Sequence, residues 1–317
     1  MIRIFIPTLL FLAVPVFAAD ANQDLALDPE KAGPDFALQG EYEAAPEDKL
    51  GVQVIALGGG NFRACVETGG LPGAGWDGQG KVEIEGKAEG GRVAISGKGW
   101  SVSIGEGALS AVEESSKRTV KMKRALRQSP TMGAKPPAGA LVLFDGSNVD
   151  AWQGSMDERK LLKNGATTKQ KFVNFTIHIE FQLPFKPYGR GQDRGNSGLY
   201  FQQRYECQVL DSFALKGENN ECGGIYTIAK PKVNMCFPPL SWQTYDADFT
   251  SAIWADGKKT ANAKLTVRHN GVLIHDNQDL PKNTGGGIDE SAEPGGLHLQ
   301  DHGNPVFYRN IWVLEKK

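Results

Sequence analysis

Apolar and polar residues alternate with period two along most of this chain, and a helical 3.6-residue spacing is scarce. KVEIEG (81–86) and RVAISG (92–97) alternate strictly. VQVIAL (52–57), NFRACVE (61–67) and SVSIG (101–105) carry the same β signal between glycine turns. GGLPGAGWDGQG (69–80) is nearly all turn chemistry, and its Trp76 reads as cover for the edge of a small core rather than as a sugar-stacking ring. The basic segment KRTVKMKRALR (117–127) begins with the same alternation and is expected to be a solvated edge strand.

The prolines of SPTMGAKPPAGA (129–140) exclude helix and disfavour a central strand, which marks a linker. A second series of strands follows, opening on LVLFDGSNVDAWQG (141–154). NFTIHIEFQLP (174–184) places Phe175, Ile177, Ile179, Phe181 and Leu183 on one face and Thr176, His178, Glu180 and Gln182 on the other. LTVRHNGVLIHD (265–276) is a hairpin turning on Asn270-Gly271, a pair suited to a type I′ turn. The expected fold is all-β: a small β-rich N-terminal domain over 39–128, a linker over 129–139, and a β-sandwich or jelly roll over 140–317.

The N-terminal stretch changes the picture of where the protein works. MIRIFIPTLLFLAVPVFA (1–18) has one basic residue, an apolar run and small residues ending at Ala18, the pattern of a cleaved signal peptide. A membrane anchor is the competing reading, but the run is short and broken by Pro7 and Pro15. Residues 19–38 are polar and irregular and are expected to be a flexible lead-in. A secreted or periplasmic protein follows, with no membrane-spanning segment once the signal is removed. A formal net charge of −2 argues against nucleic acid as a partner.

Four cysteines show no CxxC pair and hence no zinc signature. Cys222 and Cys236 bracket a run of turn formers, so a local disulfide between them is expected, worth about 3 kcal/mol as a loop closure. Cys65 and Cys207 are expected to be free.

Three segments of the second domain have polar faces unlike a solvated sheet. NSGLYFQ (196–202) aligns Asn196, Gly198, Tyr200 and Gln202. YECQVLD (205–211) offers Glu206 and Gln208, and GGLHLQDHG (295–303) aligns His298, Gln300 and His302. The set holds no lysine and combines amides, a carboxylate, imidazoles and a ring, the groups a concave carbohydrate site uses. Gly198 is expected to let a ligand approach the sheet. The alternative is three separate faces turned to water.

NSGLYFQQRYECQVLD, CGGIYTIAKPKVN, WQTYD and LHLQDHGNPVFYRNIWV, with LFDG near residue 145, resemble the 3-keto-disaccharide hydrolase domain family of secreted bacterial proteins. The resemblance covers about residues 140–317 and implies a concanavalin-like jelly roll acting on oxidised sugars. Asn196, Ser197, Gly198, Glu206, Gln208, Asp211, Gln300, His302, Gly303, Arg309 and Asn310 match its blocks, and His298 falls at a free position. The chemistry it implies is removal of the C2 proton next to a C3 ketone, elimination of the C1 substituent and addition of water. Glu206 and His302 are the candidates for proton transfer. They are equally candidate ligands for one divalent cation that would stabilise an enolate. Asn196, Tyr200, Gln208, His298 and Gln300 are candidate sugar-binding residues. Arg309 would either reach the groove or sit beneath it against a carboxylate.

Two other readings stand beside this one. Glu206 and Asp211 have part of the spacing of laminarinase-like β-glucanases, although position 208 is an amide and Asp211 has the wrong parity. A non-catalytic carbohydrate-binding module would use the same amides and aromatics without needing Glu206 or His302.

Overall fold

The computed structural model describes residues 25–89, 92–105 and 107–316. The expected signal peptide lies outside the described residues. Eight strands build the N-terminal domain: β1 Gly40–Glu43, β2 Leu50–Gly58, β3 Asn61–Thr68, β4 Lys81–Glu89, β5 Arg92–Gly97, β6 Trp100–Gly105, β7 Ala108–Glu113 and β8 Arg118–Ala125. They run antiparallel in sequence order, and β8 returns to pair with β1, which closes a barrel. The basic segment is therefore not an edge strand. Its Val120 and Met122 point into the barrel core with Val54, Phe62, Val93 and Ile104, while its charged residues face outward, and closure leaves no free edge for it to occupy.

The lead-in is ordered over its described part. Residues Pro29–Lys31 form a 3-10 turn and Gly33–Leu38 a short helix, α1. Ala26 exchanges backbone hydrogen bonds with Phe185 of the second domain, and Phe36 meets the Phe185 ring at 5.3 Å. Burial of these apolar groups holds down a segment that its polar composition predicts to be loose. The linker is tied down too. Ser129 and Thr131 hydrogen-bond Thr244, and the Gly133 N–H donates to Glu180.

The second domain has fourteen strands among the described residues. The first seven are β9 Leu141–Phe144, β10 Trp152–Gln153, β11 Leu162–Lys163, β12 Ala166–Thr168, β13 Phe175–Gln182, β14 Ser197–Phe201 and β15 Tyr205–Val209. The rest are β16 Trp242–Thr250, β17 Ile253–Ala255, β18 Lys258–Ala261, β19 Ala263–His269, β20 Val272–Leu280, β21 His298–Leu299 and β22 Phe307–Glu315. One sheet has the order β11-β22-β13-β16-β19-β20, with β9 also on β22; the smaller sheet has the order β10-β12-β21-β14-β15. Strands β17 and β18 form a separate hairpin.

The two sheets face each other across one apolar core. Phe175, Ile177, Ile179 and Phe181 of β13 meet Leu199 and Phe201 of β14 and Tyr205, Cys207 and Val209 of β15. Phe201 lies 6.1 Å from Phe175 and 5.6 Å from Phe249, which knits the layers together. The β19–β20 hairpin turns on Asn270 (φ 50°) and Gly271 (φ 80°), as its sequence predicts.

The barrel docks on the end of the sandwich and grips the loop that precedes β14. Arg190 and Arg194 donate to the carbonyls of Leu57 and Ala56, and the Tyr188 ring lies where a Gly58 Cβ would stand. On the other side, Lys81 donates to the carbonyls of Ala214 and Leu215.

All four cysteines are free and buried, so the expected Cys222–Cys236 disulfide is not formed. The two thiols are neighbours but remain unbonded; Cys222 Sγ also lies 3.2 Å from the Tyr245 hydroxyl, and Cys236 Sγ 3.5 Å from the Leu210 carbonyl. The loop between them is tied to the segment after β15, where Asn234 Nδ2 donates to the Ser212 carbonyl at 2.7 Å. Cys65 and Cys207 are free, as expected.

Candidate active site

Strand parity places Leu199 and Phe201, with Tyr205, Cys207 and Val209, in the core. Gly198, Tyr200, Glu206 and Gln208 are therefore on the opposite face of the smaller sheet. In register, Gly198 pairs with Gln208 and Tyr200 with Glu206. Segment 223–226 runs along β15 through backbone hydrogen bonds with Glu206 and Gln208 and roofs one side. Gln192, Asn196, Glu206, Gln208, Tyr226, Gly285, Gly286, Gln300 and His302 line a hollow of about 340 Å³ above this face. Three distant segments thus reach one small-molecule-sized site, near the lower end of the usual range of roughly 300–1,000 Å³.

Glu206 is 2% exposed. Its Oε2 receives the Tyr200 hydroxyl at 2.9 Å, and Oε1 takes no hydrogen bond among the described residues. Burial pushes its carboxyl up to about 7, against the pull of the Tyr200 hydrogen bond. Gly198 makes the placement possible, because a Cβ there would stand 2.3 Å from Glu206 Oε1. The space above Gly198 thus belongs to the carboxylate and not, as its sequence predicts, to a ligand. Tyr200 also lies 2.8 Å from the Gly285 carbonyl and receives Gln300 Nε2 at 3.2 Å. A hydroxyl has one proton to give. It goes to Glu206 when the carboxyl is ionised, and it is free for Gly285 when Glu206 carries its own proton.

Asn196, Glu206, Gln208, Gln300 and His302 share the hollow. His302 is exposed, on the loop after β21. Tyr200 is not a lining residue: its hydroxyl is buried against Glu206 and Gly285, so it positions the carboxylate instead of meeting a ligand. His298 also stands outside. Its Nδ1 lies 2.8 Å from Thr167 Oγ1 and its ring packs 5.7 Å from Tyr200. Of its two expected places Arg309 takes the one against a carboxylate and not the one in the groove: it belongs to the other sheet, where it binds Glu180 at 2.6 Å and covers the Trp242 ring at 3.9 Å. Asp211 pairs with Arg194 at 2.7 Å and does not line the hollow, so a two-carboxylate glycosidase arrangement lacks its second acid.

Sequence reasoning missed Gln192, Tyr226 and Gly285–Gly286. Gln192 sits in a 3-10 turn, Gly191–Asp193, within a stretch that has no periodicity to read. Asn196 Oδ1 and Gln208 Oε1 are buried with no hydrogen-bond partner among the described residues.

The fold and hollow define a β-sandwich protein with a polar, carboxylate-centred small-molecule site. Residues 139–314 match the 3-keto-alpha-glucoside-1,2-lyase-like domain family, and the chain belongs to it. A solved protein of Parabacteroides distasonis, assigned as a glycosyl hydrolase, is 31% identical with a TM-score of 0.52, over 56% of this chain and 84% of that one. A second from that organism, also assigned as a glycosyl hydrolase, is 18% identical with a TM-score of 0.41, over 56% and 94% of the two chains, a likeness too distant to argue from. No curated protein matches. The chain is a glycoside-processing enzyme by family, and its barrel lies outside the matched region.

Proposed function

We propose that this is an exported enzyme that cleaves 3-keto-glycosides by abstracting the C2 proton, eliminating the C1 substituent and adding water. The observation that carries the reading is Glu206, a buried carboxyl near 7 with one oxygen unengaged, in a hollow otherwise lined by amides and one imidazole. A ketone at C3 acidifies the hydrogen on C2. Glu206 takes that proton, the C1–O bond breaks, and His302 protonates the departing oxygen. Water then adds at C1, giving its proton to His302, and Glu206 returns a proton to C2. The net change is hydrolysis.

Among the described residues no group of three or more His, Cys, Asp and Glu is arranged to hold a metal ion. Glu206 and His302 with the free amide oxygens of Asn196 and Gln208 nevertheless offer donors that suit a hard divalent ion. In that alternative Glu206 and His302 would hold it in place of their proton-transfer roles, and it would supply Lewis-acid stabilisation of the enolate.

The test offers 3-keto-trehalose, 3-keto-maltose and their unoxidised parents, each with and without a chelator. Turnover of the oxidised sugars alone is expected. Turnover of the parents at the same rate, or of none of the four, would remove the proposal. Loss of activity with chelator, restored by a divalent ion, would establish the metal.

A further inference from the structure

We infer that Gln192 sets the selectivity of the hollow: it locks Asn196 and Gln208 with both carbonyl oxygens free, so that the site takes a ring presenting two hydroxyl donors to them. One group in this cluster cannot be turned round. The backbone carbonyl of Asn220 only accepts hydrogen bonds, and Gln192 Nε2 donates to it at 2.8 Å. Gln192 must then present Oε1 to its other neighbours. Oε1 receives Asn196 Nδ2 at 3.1 Å and Gln208 Nε2 at 2.9 Å.

Both amide NH₂ groups are used up by this arrangement. Asn196 Nδ2 also donates to the Gln192 carbonyl at 2.9 Å, and Gln208 Nε2 lies 3.5 Å from the Asn220 carbonyl. What remains on each side chain is its oxygen. Asn196 and Gln208 are each 1% exposed, both line the hollow, and Asn196 Oδ1 and Gln208 Oε1 have no partner among the described residues.

Buried carbonyl oxygens without donors favour any ligand that supplies O–H groups at those two points. They disfavour a ring that lacks one of the hydroxyls, and they repel a carboxylate in its place. A site built to hydrogen-bond a hydroxyl discriminates against the deoxy analogue far more strongly than an apolar pocket discriminates by size. Gln192 meets the two amides and is therefore a positioning residue. Its substitution loosens their orientation without touching Glu206. The inference rests on the proposed function for the identity of the ring, but not for the orientation of the amides.

The test uses the full chain, with KM and kcat for 3-keto-trehalose and for its monodeoxy derivatives. In the parent, loss of at least one ring hydroxyl is expected to raise KM by about ten-fold or more. Gln192→Met is expected to raise KM for the undeoxygenated sugar by about ten-fold and to shrink the deoxy penalty to about three-fold or less, with kcat within about two-fold. Gln192→Leu, which likewise removes the acceptor, is expected to behave alike and serves if Gln192→Met fails to fold. Unchanged KM and an undiminished deoxy penalty in these variants would overturn the inference, as would a parent that shows no deoxy penalty. If the parent turns over no keto-glycoside, the proposed function fails separately. Calorimetric affinity for trehalose and maltose then decides: weaker binding by the Gln192 variants supports the locked amides, and equal binding overturns them.

Discussion

Two buried glutamates in the same sandwich behave in opposite ways. Glu180 on β13 is 1% exposed and Glu206 on β15 is 2% exposed. Burial alone pushes either carboxyl up. At Glu180 it is overcome by hydrogen bonds from His178, Asn310, Arg309 and the Gly133 N–H, which bring the group down to about 2. At Glu206 the Tyr200 hydroxyl is the one opposing influence, and the carboxyl stays near 7. The first is a satisfied ion that fastens the linker and β22 to β13. The second is a carboxyl left poised between its two protonation states in a hollow. Burial does not distinguish a structural carboxylate from a chemical one; the number of donors does.

The largest effect is expected at Glu206. Glu206→Gln should lower kcat on a 3-keto-glycoside by about 10²–10⁴-fold, as expected for a lost general base, while Glu180→Gln retains activity in the folded fraction. Next come the opposite effects on stability. Glu180 has its folded value depressed, so it contributes stability above about 4.5 that is lost as pH falls toward about 2. Glu180→Gln should therefore be destabilised by about 3 kcal/mol at pH 7, a gap that closes in acid. Glu206 has its folded value raised, so its ionisation opposes folding as pH climbs from about 4.5 through about 7. Glu206→Gln should be more stable than the parent by up to about 3 kcal/mol at pH 8 and equal to it below pH 4.5, measured by denaturant unfolding at each pH.

Smaller effects sharpen the contrast. Gly198→Ala puts a methyl against Glu206 Oε1 and should cost about 1–3 kcal/mol of stability together with most of the activity, by displacing the carboxylate. Tyr200→Phe removes the donor that holds Glu206 down. The acidic limb of the kcat/KM–pH profile should then move upward. A downward shift would mean that the limb belongs to another group.

Much of the site was legible because strand parity is a local property. Glu206 with Gln208 and Asn196 with Gly198 could be assigned to a face from residue spacing alone. The errors fall where the answer depends on long-range pairing. Parity at Arg309 tells which side of β22 it occupies but not that β22 belongs to the sheet opposite the hollow. The basic segment alternates as an edge strand would, and its closure onto β1 joins residues 80 or more positions apart. Tyr200 has the right parity, yet loop 284–287 covers it, and nothing in the NSGLYFQ pattern foretells that. Cys222 and Cys236 come together as their spacing suggests, but as free thiols, and spacing alone does not tell a thiol pair from a bond.

The most direct test of the central claim follows a 3-keto-disaccharide deuterated at C2 through one turnover in ordinary water. Proton abstraction by Glu206 predicts a primary isotope effect, joined by loss of the label wherever the carboxyl exchanges with water before it returns a proton to C2, and neither with Glu206→Gln. A product that keeps its deuterium while forming at the unlabelled rate would mean direct glycosidic cleavage, and would contradict the account.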